Sequence, residues 1–321
     1  MLVNLTIDGK KACVDQGTSI LNAAKTIGIN IPTLCYLEEL EVVSSCRMCM
    51  VEVEGWRKPV TACSIPVEEG MVVTTNSEKI ISYRRDLLRL YLDNHPNDCL
   101  TCQKAGECEL QNLSYEYDVA FQDHDGARRN YKQAKFSDQS SPYILRDESK
   151  CILCGRCVRT CAKVDRNVLT FAERGFETHI SADADQSLEE STCVSCNRCV
   201  AVCPVGALMD RRAQHKVRNW QAEKEIVQCT RCEFGCEMEL LKDEGNPVAV
   251  RAIGAEGDKR PLCLTGRLTT ELQYLEKPSV PYKKIRTEEG NKFVSTSWTD
   301  ALNLEGIAEK LIKENEIEKE A

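Results

Sequence analysis

Cys151-Ile-Leu-Cys154-Gly-Arg-Cys157-Val-Arg-Thr-Cys161 is followed, further along the chain, by Cys193-Val-Ser-Cys196-Asn-Arg-Cys199-Val-Ala-Val-Cys203-Pro204. Each run is C-x2-C-x2-C-x3-C, and a proline closes the second. Three cysteines at that pitch wrap a short loop around one cubane cluster, and the fourth, opening the following helix, reaches across to the other cluster. The spacing therefore predicts Cys151, Cys154, Cys157 and Cys203 around one [4Fe-4S] cluster. It predicts Cys161, Cys193, Cys196 and Cys199 around a second. Paired zinc knuckles are the competing interpretation of C-x2-C pairs, but zinc takes closed tetrahedral sets of four. Two interleaved runs ending in Cys-Pro suit it poorly.

Twenty cysteines in 321 residues, set in short-spaced groups, point to metal in a reducing compartment rather than to a disulfide framework. The opening Met1-Leu-Val-Asn-Leu-Thr-Ile-Asp8 turns polar too soon for the apolar core of a signal peptide. No run of eighteen apolar residues exists, so no membrane span is expected, and the arginine pairs at 84–85, 128–129 and 211–212 are internal. A net charge of −8 argues against a general nucleic-acid partner. A cytoplasmic location is the expectation.

Upstream, residues 1–78 read as a small mixed α/β domain. Leu2 to Ile7 alternates as a strand, Asp8-Gly9 turns, and Lys11 to Val14 returns. Thr18 is expected to cap a helix carrying Ile20, Leu21, Ala24 and Ile27, with Gly28 ending it. Cys35, Cys46, Cys49 and Cys63 then follow with spacing C-x10-C-x2-C-x13-C. Four thiolates with one tight pair and two remote partners suit a [2Fe-2S] rhomb, two sulfurs per iron; four buried structural cysteines are the alternative. Cys13 stands outside every group and is expected to be a small buried residue on a strand.

Residues 79–118 begin with a helix, Glu78 to Asn94, that delivers His95 to Cys99, Cys102 and Cys108. Three cysteines leave a cluster one donor short. A lone histidine is usually structural, but His95 opens this group, and imidazole is a good iron ligand. It would also alter the net charge and hence the potential of a [4Fe-4S] cluster. His124, His179 and His215 have no such context and are expected at the surface. Residues 115–149 read as connecting loop. The two-cubane unit occupies 140–212, with a short hairpin in its gap around Val168, Leu169 and Phe171, and Asp210 to Gln221 reads as a basic helical connector.

The last region, 222–321, holds Cys229, Cys232, Cys236 and, well beyond them, Cys263, across a strand pair at 237–241 and 248–253. This set suits a further [4Fe-4S] cluster, with a zinc ribbon as the alternative. A terminal helix is expected from Trp298, with Leu302, Leu304, Ile307, Ala308 and Leu311 apolar and Lys313, Glu314 and Glu316 charged.

Cys46-Arg-Met-Cys49-Met-Val-Glu-Val-Glu-Gly55 and Cys108-Glu-Leu-Gln-Asn-Leu113, which closes the run opened by His95, resemble a known family. It is the iron–sulfur-rich large subunit of the NADH dehydrogenase module of complex I, with relatives in electron-bifurcating hydrogenases and NAD-dependent formate dehydrogenases. The resemblance covers roughly residues 1–300. It implies an α+β, multi-domain chain: a β-grasp [2Fe-2S] ferredoxin domain, a helical region with a one-histidine three-cysteine [4Fe-4S] cluster, a two-[4Fe-4S] ferredoxin domain and a short molybdopterin-oxidoreductase-type [4Fe-4S] domain. Formate dehydrogenase-like subunits continue far past the position matching Cys263, whereas this chain ends soon after it, at Ala321. They also carry a lysine where Thr265 stands here, and the hydrogenase relatives have a further cysteine domain that is absent.

The sequence holds no G-x-G-x-x-G, no Walker loop and no hydrolytic triad, so no catalytic residue is assigned. Five clusters, one [2Fe-2S] and four [4Fe-4S], are expected to pass single electrons in series. The expected function is an electron-transfer subunit of a multi-subunit NAD(P)-linked oxidoreductase, with a branch at the [2Fe-2S] domain that would allow bifurcation with ferredoxin. Flavin and NAD(P) would sit on a diaphorase-type partner, accompanied by a small [2Fe-2S] subunit and a further redox subunit. Two alternatives are the N-terminal part of a molybdenum or tungsten formate dehydrogenase and a zinc-stabilised scaffold.

Overall fold

The period-two pattern at the N-terminus builds a hairpin: β1 (Leu2–Ile7) pairs antiparallel with β2 (Lys10–Asp15) around the left-handed Asp8 and Gly9. The computed structural model describes residues 1–96, 98–120, 137–253 and 261–306. Val3, Leu5, Ile7, Ala12 and Val14 point inward onto α1 (Ile20–Thr26), whose Ile20, Leu21, Ala23 and Ala24 are buried. The cap is Ser19 rather than Thr18: its hydroxyl accepts from Asn22 N at 3.2 Å. With Ala12 and Val14 inside, the alternation turns Cys13 outward, so it is exposed and not buried as expected. β3 (Met50–Val53), β4 (Val60–Thr61) and β5 (Val72–Thr74) complete a mixed sheet ordered β2-β1-β5-β3-β4, in which β1 and β5 run parallel.

α2 (Glu78–Asp93), capped by Ser77, buries Ile80, Arg84 and Leu88 at four-residue spacing. Arg84 is only 1% exposed. Its guanidinium donates to Met48 O, Met50 O, Asn76 and the Tyr117 hydroxyl at 2.9–3.0 Å. It fastens the Cys46–Cys49 loop to α2 and to α3 (Glu109–Glu116).

Residues expected as plain loop contain two strands, β6 (Ser137–Asp138) and β7 (Ile144–Asp147). α4 (Arg156–Lys163), the hairpin β8 (Leu169–Ala172) and β9 (His179–Ala182), and α5 (Arg198–Ala201) follow. β10 (Leu208–Asp210) returns antiparallel to β7, with Leu208 opposite Arg146. That pairing sets the segment after Cys203 beside the segment leading into Cys151, and Asp147 N donates to Ala207 O at 2.8 Å. His179 is buried on β9, contrary to expectation, because its ring is satisfied there by Glu177 O at 2.9 Å and Asp185 at 2.7 Å. His215 is exposed, and His124 lies outside the described residues. Residues 211–221 form one short 3-10 turn (Arg211–Ala213) and irregular backbone, not the expected helix, because their side chains are spent on other elements. Arg211 donates to Ser141 O at 2.9 Å and Asn219 to Gln103 O at 2.7 Å.

β11 (Glu223–Gln228), β12 (Glu237–Asp243) and β13 (Asn246–Ala252) form an antiparallel sheet against α6 (Leu264–Tyr274). The hairpin β14 (Tyr282–Thr287) and β15 (Gly290–Ser295) then folds back onto the two-cubane unit, and α7 (Trp298–Ala301) ends the regular elements described. Lys284 donates to Leu188 O, Ser191 O and Cys193 O at 2.8–3.1 Å, and Phe293 N donates to Glu189. Ile307, Ala308, Leu311, Lys313, Glu314 and Glu316, expected in the terminal helix, lie outside the described residues.

Arg251 of β13 grips Glu107 through two bonds of 3.1 and 3.2 Å, and Lys224 pairs with the same carboxylate. Burial would raise the Glu107 carboxyl, but its cationic partners win and hold it at about 2, below an ordinary 4.5. A depressed carboxyl stabilises the fold fully above the unfolded value and loses that contribution as pH falls from about 4.5 toward 2. Between those limits the Glu107→Gln variant is expected to lose about 3 kcal/mol less than the parent. Paired acid-unfolding curves would show it as a flatter profile, and superimposable curves would refute the assignment.

Candidate metal centres

The tight pair at Cys46 and Cys49 and the flanking loops bring four sulfurs together at the end of the first sheet. Cys49 Sγ stands 3.4 Å from Cys63 Sγ, Leu34 N donates to Cys46 Sγ at 3.4 Å, and Ser44 Oγ lies 3.3 Å from Cys63. The sulfurs pair as Cys35 with Cys46 and Cys49 with Cys63. The Cys46 hydrogen bond draws Cys35 down to about 5, and that of Cys49 draws Cys63 to about 7. Cys46 and Cys49 are pushed up by the same contacts and by burial. Two thiol pairs, each ready to hold a negative charge, form a donor set that suits a two-iron group.

His95 is buried at the end of α2. Its Nδ1 lies 3.0 Å from Pro96 O, which leaves Nε2 as the free face of the ring; that nitrogen is buried with no hydrogen-bond partner. Burial lowers its pKa and keeps the imidazole neutral, the form that ligates metal. Cys102 and Cys108 are buried, and Cys99 is exposed. Cys108 also caps α3 by accepting from Gln111 N at 3.5 Å. A buried imidazole nitrogen without a partner, in a segment that also carries three thiols, fits an iron–sulfur group. A methyl group at Gly206 would lie 2.8 Å from Cys102 Sγ. Gly206→Ala is therefore expected to cost about 1–3 kcal/mol at this site. Iron retention there should weaken about tenfold or more while the first-domain site is unaffected, as read from the separate paramagnetic signals. Unchanged iron content would count against this arrangement.

The two central loops repeat one backbone. Leu153 and Ser195 are both left-handed, with φ of 54° and 56°, as are Gly155 and Asn197 at 69° and 57°. Each turn aims an N–H at sulfur: Leu153 N to Cys151 and Ser195 N to Cys193, both at 3.4 Å. Cys151, Cys154, Cys157 and Cys203 line one narrow cavity of about 20 Å³. Cys161, Cys193, Cys196 and Cys199 line another of about 30 Å³. Each loop thus meets the fourth cysteine of the other run. Burial pushes the thiols of Cys151, Cys157 and Cys199 well up, Cys154 to about 12 and Cys193 to about 11. Thiols raised in this way ionise only where a cationic group replaces the lost water, which is what an iron–sulfur core provides.

In the C-terminal region a methyl group at Gly266 would lie 3.1 Å from both Cys229 and Cys263 sulfurs, so the first and last cysteines of that set meet. Cys229 N donates to Cys236 O at 2.9 Å, Arg231 N reaches Cys229 Sγ at 3.5 Å, and Cys263 caps α6 through Gly266 N at 3.1 Å. Cys232 and Cys263 are exposed. Among the described residues, no three His, Cys, Asp or Glu groups converge closely enough for a single ion.

The five sets touch one another. Arg159 donates to Cys35 O at 2.5 Å and to Cys154 O at 3.4 Å, joining the first-domain site to the first central loop. Lys150, beside Cys151, pairs with Asp98, beside Cys99, at 2.8 Å, and Glu109 N donates to Pro204 O at 2.8 Å. Cys196 and Cys236 pack against one apolar group containing Val227, Met238 and Leu240. The first central loop therefore borders three other sets, where the sequence alone sets the centres in series with a branch at the [2Fe-2S] domain. Spacing alone missed Arg84, Lys150, Arg156, Arg159 and Lys284, the cations that position these loops. A charge at a core position of α2, Arg84 between Ile80 and Leu88, was the one readable signal.

Several stretches of the chain match known iron–sulfur domains. Residues 1–78 match a 2Fe-2S iron-sulfur cluster binding domain, and 84–123 match the NADH-ubiquinone oxidoreductase-G iron-sulfur binding region. Residues 150–207 and 185–239 match 4Fe-4S dicluster domains. The alpha subunit of the NADPH-Fe(3+) oxidoreductase of Geobacter sulfurreducens is 35% identical over 83% of this chain and 31% of its own length. The HndD subunit of the NADP-reducing hydrogenase of Solidesulfovibrio fructosivorans is 43% identical over 65% of this chain and 36% of its own. A G-type subunit of the NADH-quinone oxidoreductase of Rhizobium meliloti is 35% identical over 94% of this chain and 34% of its own. The chain thus spans about a third of these relatives. A crystal structure of an NAD+-reducing [NiFe]-hydrogenase in the H2-reduced state matches at a TM-score of 0.60 and 30% identity, covering 67% of this chain and 90% of that one.

Proposed function

The chain belongs to the family of iron–sulfur-rich subunits of NADH dehydrogenase modules and their hydrogenase relatives, and from that premise we propose a branched relay of five centres. Cys35, Cys46, Cys49 and Cys63 would hold a [2Fe-2S] cluster in a β-grasp domain. His95, Cys99, Cys102 and Cys108 would hold a [4Fe-4S] cluster, the two central sets one each, and Cys229, Cys232, Cys236 and Cys263 a fourth. Bound clusters supply one-electron oxidation and reduction. The polypeptide buries the central sulfurs from water, donates N–H groups to them and fixes the order of neighbours.

The observation that carries this proposal is where the sets meet solvent. The central cysteines are at least partly buried and the first-domain cysteines fully so, under a loop whose Val42 and Val43 stand open, whereas Cys99, Cys232 and Cys263 are exposed. A relay needs a sheltered middle with exits, and the His95 and C-terminal sets supply exposed ones. Flavin and NAD(P) would belong to a diaphorase-type partner docked near His95 and the first central loop, with a small [2Fe-2S] subunit. A further redox subunit or ferredoxin would meet another end. Among the described residues no helix is long and apolar enough to cross a membrane.

The test is iron, sulfide, zinc, molybdenum, tungsten and flavin per chain on natively purified material. About 18 irons, from one two-iron and four four-iron clusters, with flavin in the complex, support the relay. Zinc in place of iron would overturn it. Stoichiometric molybdenum or tungsten would place a pterin head in the same assembly.

A further inference from the structure

Arg156 lies inside the Cys154–Cys157 loop, on the first turn of α4, and is 3% exposed. Its two terminal nitrogens clasp Glu109 at 2.5 and 2.9 Å. Glu109 directly follows Cys108, so this bidentate pair bridges the first central loop and the His95 set. The remaining donor, Arg156 Nε, is buried with no partner. A buried guanidinium N–H without an acceptor is costly, and this one belongs to a residue set between Cys154 and Cys157. The Arg156 backbone N–H bonds Cys154, and the charges of Cys154 and Cys46 act on the guanidinium after Glu109 itself. One cation therefore sits inside the first central loop, and its partner carboxylate, 41% exposed, adjoins the His95 set.

We propose that Arg156 and Glu109 form a potential-setting pair at the branch. Arg156 makes the cluster held by Cys151, Cys154, Cys157 and Cys203 easier to reduce, its Nε donating to a sulfur there, and Glu109 moderates the effect. Net charge and hydrogen bonds to sulfur are the protein's means of tuning such groups, and a fixed guanidinium in a low-dielectric junction acts strongly. A purely structural clasp would need no unpartnered donor. The proposal rests on the relay reading above.

The test uses the natively purified, iron-loaded protein and its Arg156→Met, Arg156→Lys and Glu109→Gln variants, titrated electrochemically with paramagnetic detection. Arg156→Met is expected to lower the reduction equilibrium constant of one [4Fe-4S] cluster about tenfold, or about 59 mV for one electron. Glu109→Gln is expected to shift the same cluster in the opposite direction, and Arg156→Lys to stay near the parent. Glu109→Gln carries the test alone if Arg156→Met fails to load iron. Shifts of equal sign, or none in clusters that are present, would overturn the proposal and leave the relay standing. A parent protein without iron would remove the relay itself.

Discussion

Replacing His95 with alanine is expected to remove about four irons per chain, one [4Fe-4S] cluster, and to leave the remaining iron in place. The imidazole is the one donor of its set that is not a thiol, and its unpartnered Nε2 is buried at the end of a helix that positions it. Alanine provides no ligand, and the gap opens near Lys150 and Asp98, whose ion pair would let water reach the exposed Cys99. His95→Cys should restore the four irons while changing the potential, since thiolate adds a negative charge. Iron analysis with paramagnetic spectroscopy decides the matter. If alanine keeps all the iron, His95 is a buried structural histidine and Cys99, Cys102 and Cys108 find their fourth ligand elsewhere.

Glu271→Ala is expected to destabilise the protein by about 3–5 kcal/mol, the cost of stranding buried charge. Glu271 is 2% exposed and meets Arg212 at 2.8 and 2.9 Å and Arg267 at 3.1 Å. Arg267 also reaches Asp210 at 2.8 Å, and Asp210 accepts from Asn197 at 3.0 Å, inside the Cys196 loop. Without Glu271 the Arg267 guanidinium keeps Asp210, while that of Arg212 is left with the Val280 and Ser279 carbonyls and no carboxylate. The exposed pair Lys25–Glu38 is the control: Glu38→Ala should change stability by about 0.5 kcal/mol or less. Urea unfolding of both variants gives the comparison. A loss below about 1 kcal/mol for Glu271→Ala would show that water or rearrangement compensates the arginines. Because the network ends in the Cys196 loop, iron in that centre should fall with stability.

The cysteine sets were legible because their information is local. Cys151 to Cys161 carries its own turn geometry, down to the left-handed residues that aim N–H groups at sulfur. The first hairpin was legible for the same reason, since Asp8-Gly9 and the alternation of Val3, Leu5 and Ile7 sit side by side in the chain. What escaped was long-range. β7 exists because Leu208 to Asp210 returns from far along the chain to pair with it, and nothing in 144–147 announces that partner. Lys284 looks like any strand lysine until the hairpin folds back and gives it three carbonyls. Arg156 and Glu109 are likewise distant in sequence. The cations that join the centres are thus invisible to spacing, although spacing finds the centres.

Cys161 leaves the first central loop on α4 and lines the second cavity; Cys203 follows α5 and lines the first. The chain is laced, and lacing has a consequence for maturation. Whichever centre is assembled first clamps the helix that presents the missing donor to the other, so the second insertion meets a site already made. Loading of the pair should be all-or-none: under limiting iron, native mass spectrometry is expected to find chains with both central clusters or neither. A population of half-filled units would mean that the two loops mature as strangers.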